Sequence, residues 1–284
     1  MKFEMNQAWQ QGMNLVAANW QLLLVLAGIF LFLPSVALTV MMPDIFGGVA
    51  GMTEPEEVNA WMLANWRPFA GAIALATFFS FVGYMAMVAL MGAHRPTVGE
   101  ALKISLFSLP SMIAAFLIFV VGYAIFVGIS SIIIGLIAAG LAAAGLGEGG
   151  AVGIVFVLMI PYFIAQLYLM SRLSMTLPAL VIEQRRNPFS ALARSWSVTA
   201  GNGFRLFVFY ALLTIAYFVI LMVVSVFAAG ILGLAAASST ATMGSAIVSG
   251  LLGAGFSMIF SGVVVAIHRQ LCGPDAVQVS ETFE

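Results

Sequence analysis

"NPFSALARSWSVTAGNGFRLFVF", residues 187–209, starts as an amphipathic helix, breaks at a pair of glycines and then turns greasy enough to enter a bilayer. Asn187 suits the N-cap, and Pro188 suits the first helical position, where no amide hydrogen is missed. Phe189, Leu192, Ala193 and Trp196 recur at i, i+3, i+4 and i+7 as one apolar stripe, with Ser190, Arg194 and Ser197 facing away. Gly201 and Gly203 permit a turn, and Arg205 marks the headgroup level at which the next segment begins. The stretch predicts a helix lying on a leaflet, a corner, and a crossing.

The rest of the chain is apolar enough for that geometry. Hydrophobic residues make up 63% and charged residues 7%, the mean hydropathy is +1.12, and soluble proteins carry about a quarter charged residues. An all-α polytopic membrane protein follows, because a backbone facing lipid must satisfy its own hydrogen bonds. Measured against the roughly 20 apolar residues needed to cross, six spans are expected at 20–42, 68–92, 105–128, 152–172, 205–229 and 245–267. Residues 104–147 are long enough for two crossings, and charge decides against it. With six spans and the N-terminus inside, Lys2, Arg95, Lys103, Arg172, Arg185, Arg186, Arg194, Arg205 and Arg269 share the cytoplasmic side, and Arg67 lies opposite. A seventh crossing would export Arg172 through Arg205, so 130–146 is read as an apolar extension or interfacial helix at the outer face. The first apolar run is longer than the about 7–15 residues of a cleaved leader and reads as a span.

The helix-and-corner pattern recurs. "PTVGEALKISLFSL", 96–109, offers Thr97 and Glu100 as a capping box, and "NQAWQQGMNLVAANW", 6–20, offers Asn6 as a cap and Trp9, Met13 and Val16 as an apolar side. Ala8, Ala101 and Ala191 occupy equivalent places, and Asn19 falls against Asn202. A single membrane domain over 1–284 is expected. It would be built as a threefold repeat of interfacial amphipathic helix plus helical hairpin, with units of approximately 1–93, 94–183 and 184–284. The outer linkers are an acidic segment from Pro43 to Trp66 and two rich in glycine and alanine, 130–151 and 229–244.

Chemistry is sparse. No charged residue lies near the centre of a span, where one would mark an ion or proton path. Gln166 reads as an interhelical hydrogen-bonding residue. His94 and His268 read as interface anchors at inner span ends, and Cys272 reads as an ordinary tail residue that leaves no partner for an intrachain disulfide. No catalytic set, phosphate loop, cofactor site or metal-ligand spacing stands out, so no enzyme is expected. The net charge of −1 makes no case for nucleic acid. Small-residue stripes at Ala72, Ala76, Ser80 and at Ala246, Gly250, Ala254 suit close helix packing within the chain, with a second copy or a membrane-protein partner as the other user. Arg172, Arg185, Arg186, Arg194 and Arg205 form a basic cluster suited to anionic lipid. An ion pair of Glu183 with Arg172 or Arg186 is expected to fix the inner corner.

The segment 177–213 resembles the YciC-like bacterial inner-membrane proteins and the membrane domain of glycerophosphoryl diester phosphodiesterases. The shared residues are Pro178, Ala179 and Glu183, then Ser195, Trp196, Thr199 and Asn202, then Arg205 and Leu206. The resemblance implies a bacterial cytoplasmic membrane location, and the charge count places both termini on the cytoplasmic side. The soluble phosphodiesterase domain and its acidic metal site have no counterpart here. Two functions are carried forward. One is a non-enzymatic component that organises lipid or assembles with partners, and the alternative is a transporter or lipid-handling protein with a cavity between repeated helix pairs.

Overall fold

The computed structural model describes residues 3–41, 54–92, 96–235 and 239–273, and the described residues are helical with short links. In chain order the helices are α1 (Met5–Ala27), α2 (Leu33–Met41), α3 (Pro55–Leu90), α4 (Val98–Leu141), α5 (Gly147–Leu173), α6 (Thr176–Val181), α7 (Pro188–Val198), α8 (Gly203–Ala235) and α9 (Ser239–Cys272). A π-turn, Gly28–Phe32, joins α1 to α2, and another, Ala142–Leu146, joins α4 to α5. The first π-turn lies just before Pro34, whose missing amide leaves the preceding turn without its i to i−4 bond. Six segments are long and apolar enough to cross a bilayer: Met5–Met41, Pro55–Leu90, Val98–Gly145, Gly153–Val181, Gly203–Ala228 and Met243–Cys272. The chain is a multi-pass membrane protein with six candidate spans, the number expected from its apolar runs.

Two of the three expected surface helices are not separate elements. Residues 6–20 continue without a break into α1, and 96–109 continue into the 44-residue α4. Only α7 ends in a corner, at 199–202, where Gly201 adopts φ 77°. The difference is chemical: the segment after α7 has glycines at the corner, whereas "VAANWQLLL" and "ALKISLFSL" contain none. Asn6 is not a cap, since Glu4 precedes the first turn. The other two predicted caps form. Thr97 Oγ1 accepts from Glu100 N at 3.4 Å while Glu100 Oε2 accepts from Thr97 N at 2.8 Å, and Asn187 Oδ1 accepts from Phe189 N at 3.0 Å. Residues 130–141 extend α4, which is roughly 66 Å long at 1.5 Å per residue. The second half of the acidic linker is the start of α3; residues 43–53, His94, Arg95 and Lys2 lie outside the described residues.

The helices pack in a closed order. α1 lies on α3, α3 on α4, α4 on α5, α5 on α8, α8 on α9, and α9 returns to α1, with α3 also touching α9. The α1–α9 crossing is close enough to need glycine on both sides. A Cβ on Gly262 would fall 2.6 Å from Val16 Cγ2 and 2.8 Å from the Gly12 carbonyl oxygen, and one on Gly12 would fall 2.9 Å from Val263 Cα. Gly250 of the predicted small-residue stripe faces Phe32 and Val36, so that stripe serves packing within the chain.

Burial is concentrated at one end. Val82 and Met85–Met91 of α3, Met175 and Leu177–Val181 around α6, and Val263–Ile267 of α9 are buried. Toward the other end the spans present Ile125, Ile129, Phe156, Val226 and Phe227 outward, as lipid-facing helices do. Ala8, Ala101 and Ala191 are each fully buried, as are Ser105 and Ser195 one turn further on. On α7 these small residues face the core, while Phe189 and Trp196 of the apolar stripe face out.

Candidate functional site

The buried end of the bundle gathers the polar residues. α5 stops at Leu173, and the chain turns through Ser174 and Met175 before α6. That break exposes backbone groups which would be costly to bury alone. Ser195, fully buried on α7, closes it: its Oγ donates to the Arg172 carbonyl at 2.8 Å and accepts from Met175 N at 3.1 Å. Thr199 Oγ1 donates to the Ser195 carbonyl at 2.8 Å and reaches the same Arg172 carbonyl at 3.3 Å. The Arg172 guanidinium, 6% exposed, lies 4.3 Å from the centre of the Trp196 ring, a cation–π contact. Asn202 Oδ1 accepts from Phe3 N at 2.9 Å, and Arg205 Nη1 donates to the Phe3 carbonyl at 3.3 Å. Each motif residue from Ser195 to Arg205 thus joins α7 or α8 to another part of the chain.

α6 orients Glu183. Pro178 offers its carbonyl to Ile182 N at 2.7 Å and Glu183 N at 3.3 Å, which turns the chain off the helix. The Glu183 carboxylate meets Arg185 Nε at 2.7 Å, Arg194 Nε at 3.1 Å and His268 Nε2 at 3.1 Å. Its side chain is 17% exposed. Burial pushes the carboxyl pKa up, but hydrogen bonds from His268, Arg185 and Arg194 outweigh burial and hold it at about 2. The expected pair with Arg172 or Arg186 does not form. Arg172 is turned to Trp196, and Arg186 offers only its backbone carbonyl, to Ser111 Oγ. Among the described residues, all the ion pairs converge on Glu183.

His268 is therefore not an isolated anchor, and Cys272 is not an idle tail residue. They lie one turn apart on α9, and Cys272 Sγ is 3.7 Å from Glu183 Oε1 and 3.8 Å from Arg194 Nη2. Donor atoms of Glu183, His268 and Cys272 all fall within 4.8 Å of one another, a spacing a metal ion would accept. The same carboxylate already carries two guanidinium groups. A divalent cation would have to enter beside two fixed positive charges, so the donor set fits an ion-pair node better than a metal centre. The i, i+4 spacing of His268 and Cys272 is the sequence signal that points to this cluster; nothing local points to Glu183, 85 residues away. Gln166 is half-buried and makes no hydrogen bond among the described residues.

Other contacts hold neighbouring helix ends together. Glu4 N donates to Gln270 Oε1 at 3.3 Å, and Arg269 Nη2 donates to the Met91 carbonyl at 2.7 Å. The start of α1 and the ends of α3 and α9 are therefore together, beside Arg172, Arg185, Arg194 and Arg205.

Beside the node, two adjoining cavities of 410 and 210 Å³ open between the first turns of α4 and the 181–186 link, sharing Lys103, Ile104 and Gln184 as lining. The curated proteins and solved structures give no match to the chain. Residues 150–278, which carry Pro178, Glu183, Ser195, Trp196, Thr199, Asn202 and His268, match the family of the membrane domain of glycerophosphoryl diester phosphodiesterase, and in that part the chain is similar to a membrane domain and not to a catalytic one.

Proposed function

We propose that the chain is a non-enzymatic membrane component that organises anionic lipid at the leaflet bordering its charged end. The observation that carries this is the collection of Lys103, Arg185, Arg186, Arg194, Arg205 and Arg269 at one end of the bundle, with Arg172 buried behind Trp196 and the outward-facing Phe189 and Trp196 at its edge. Each basic residue near a membrane surface attracts anionic lipid by on the order of 1 kcal/mol. Within the cluster, Glu183 counters Arg185 and Arg194, while Arg186 meets no carboxylate among the described residues. By the bias of positive charge this leaflet is the cytoplasmic one, with both termini on that side of a bacterial inner membrane. The matching burial of Ala8, Ala101 and Ala191, each followed one turn later by Gly12, Ser105 and Ser195, supports three repeated units. In this reading the first two units kept the packing face of the surface helix and lost its corner.

Native mass spectrometry of protein extracted from vesicles of equal phosphatidylglycerol and phosphatidylcholine tests the function. The expected result is retained phosphatidylglycerol in several-fold excess, an excess that shrinks as salt is raised. Equal retention of the two lipids rejects lipid organisation at this face. The second reading, a transporter or lipid-handling protein, draws on Tyr84 Oη and Thr176 Oγ1, which are buried without a partner among the described residues. Uptake or flip of a polar solute by reconstituted protein would favour it.

A further inference from the structure

The two cavities differ in their linings in a way that matches one molecule. The 210 Å³ cavity is bounded by Lys103, Ile104, Phe107, Ser108, Gln184 and Arg186. The 410 Å³ cavity adds Glu100, Pro96 and the apolar surface of Ala89, Val181 and Ile182. Among the described lining residues, Lys103 and Arg186 bring two positive charges and Glu100 one negative, a balance of +1 that one phosphodiester would neutralise. Glu100 Oε2 accepts from both Thr97 N and Thr97 Oγ1, which holds the carboxylate at the helix start. Gln184 holds φ 51°, a left-handed conformation that is unfavourable for a residue with a side chain, and it lines both cavities. Phe107, 64% exposed, lies next to Ile104 on the way toward the hydrocarbon.

We propose that this crevice is a specific site for one anionic glycerophospholipid, its phosphodiester between Lys103 and Arg186, its head alcohol in the larger cavity against Glu100 and Gln184, and an acyl chain along Ile104 and Phe107. The site rests on the lipid-organising function above and gives it an address. It separates two adjacent arginines: Arg185 is paired to Glu183, and Arg186 faces the crevice.

Arg185→Gln and Arg186→Gln remove the same charge one residue apart. In the phosphatidylglycerol and phosphatidylcholine competition, Arg186→Gln and Lys103→Gln are each expected to lower retained phosphatidylglycerol about fivefold. Arg185→Gln should change it less than about twofold, and phosphatidylethanolamine offered in place of phosphatidylglycerol should be held more weakly by the wild type. Circular dichroism and melting of each variant identify any that fail to fold, and the lysine variant stands in if the arginine variant does. Equal losses in Arg185→Gln and Arg186→Gln would overturn the crevice and leave a diffuse surface field. No excess of phosphatidylglycerol on the wild type would instead defeat the lipid function itself.

Discussion

Glu183→Gln is expected to lower the unfolding free energy in detergent at neutral pH by about 2–4 kcal/mol, one of the two largest single-residue effects in the molecule. The substitution keeps the side chain's shape and removes its charge. Arg185, Arg194 and His268 then lose the carboxylate they share, and His268, with a side chain 4% exposed, has little water to turn to. Removing one member of a fully buried pair costs about 3–5 kcal/mol; the 17% exposure of Glu183 brings the expectation below that. The pH dependence has a definite sign. The Glu183 carboxyl is held near 2 against an ordinary value of 4.5, so its contribution is fully present above 4.5 and is lost as pH falls through about 2. Melting curves of wild type and Glu183→Gln should converge as pH is lowered through that window. A variant as stable as the wild type at neutral pH would show that the node does not hold the helix ends together.

Gly262→Val should be at least as damaging, by about 3 kcal/mol or more, because the new side chain meets a backbone it cannot push aside. Even a single Cβ at this position comes within 2.8 Å of the Gly12 carbonyl oxygen. Relief requires α1 and α9 to separate, which would also loosen the buried Val263–Ile267 segment. Gly122→Val makes the comparison, since a Cβ there meets nothing within 4 Å; its expected effect is within about 0.5 kcal/mol, the usual range for a change that touches nothing. Denaturation by a stepwise increase of harsh detergent reads both variants. Similar loss in the two would mean that the α1–α9 crossing is not the tight contact described here.

Much of the architecture follows from one-dimensional signals. Six crossings came from apolar run length and from the side on which Arg172 through Arg205 must fall, and the Thr97–Glu100 and Asn187 caps came from local chemistry. The residues Ser195, Trp196, Thr199 and Asn202 were picked out together, and their partners turned out to be the break after α5 and the first residues of the chain. What stayed hidden required knowledge of the third dimension. Phe3 and Asn202 are 199 positions apart and carry no mutual signal. Sequence distance does not single out the partners of Glu183, because Arg172 and Arg186 are as near in sequence as Arg185 and Arg194, and the fold decides which of them face the carboxylate. The amphipathic stripes at 6–20 and 96–109 look like separate surface helices in sequence because periodicity reports a face and not an end. An end needs a breaker, and only the third stripe is followed by glycines in the right place.

Phe3, Asn202 and Arg205 join the start of the chain to the same end of the bundle as the arginine-rich link at 183–194. Single cysteines introduced as Glu4→Cys, Arg186→Cys and Glu57→Cys in a Cys272→Ser background, treated with a membrane-impermeant thiol reagent in sealed vesicles of known orientation, test it directly. Positions 4 and 186 are expected to react from the same side and position 57 from the other; reaction of 4 and 186 from opposite sides would rule this arrangement out.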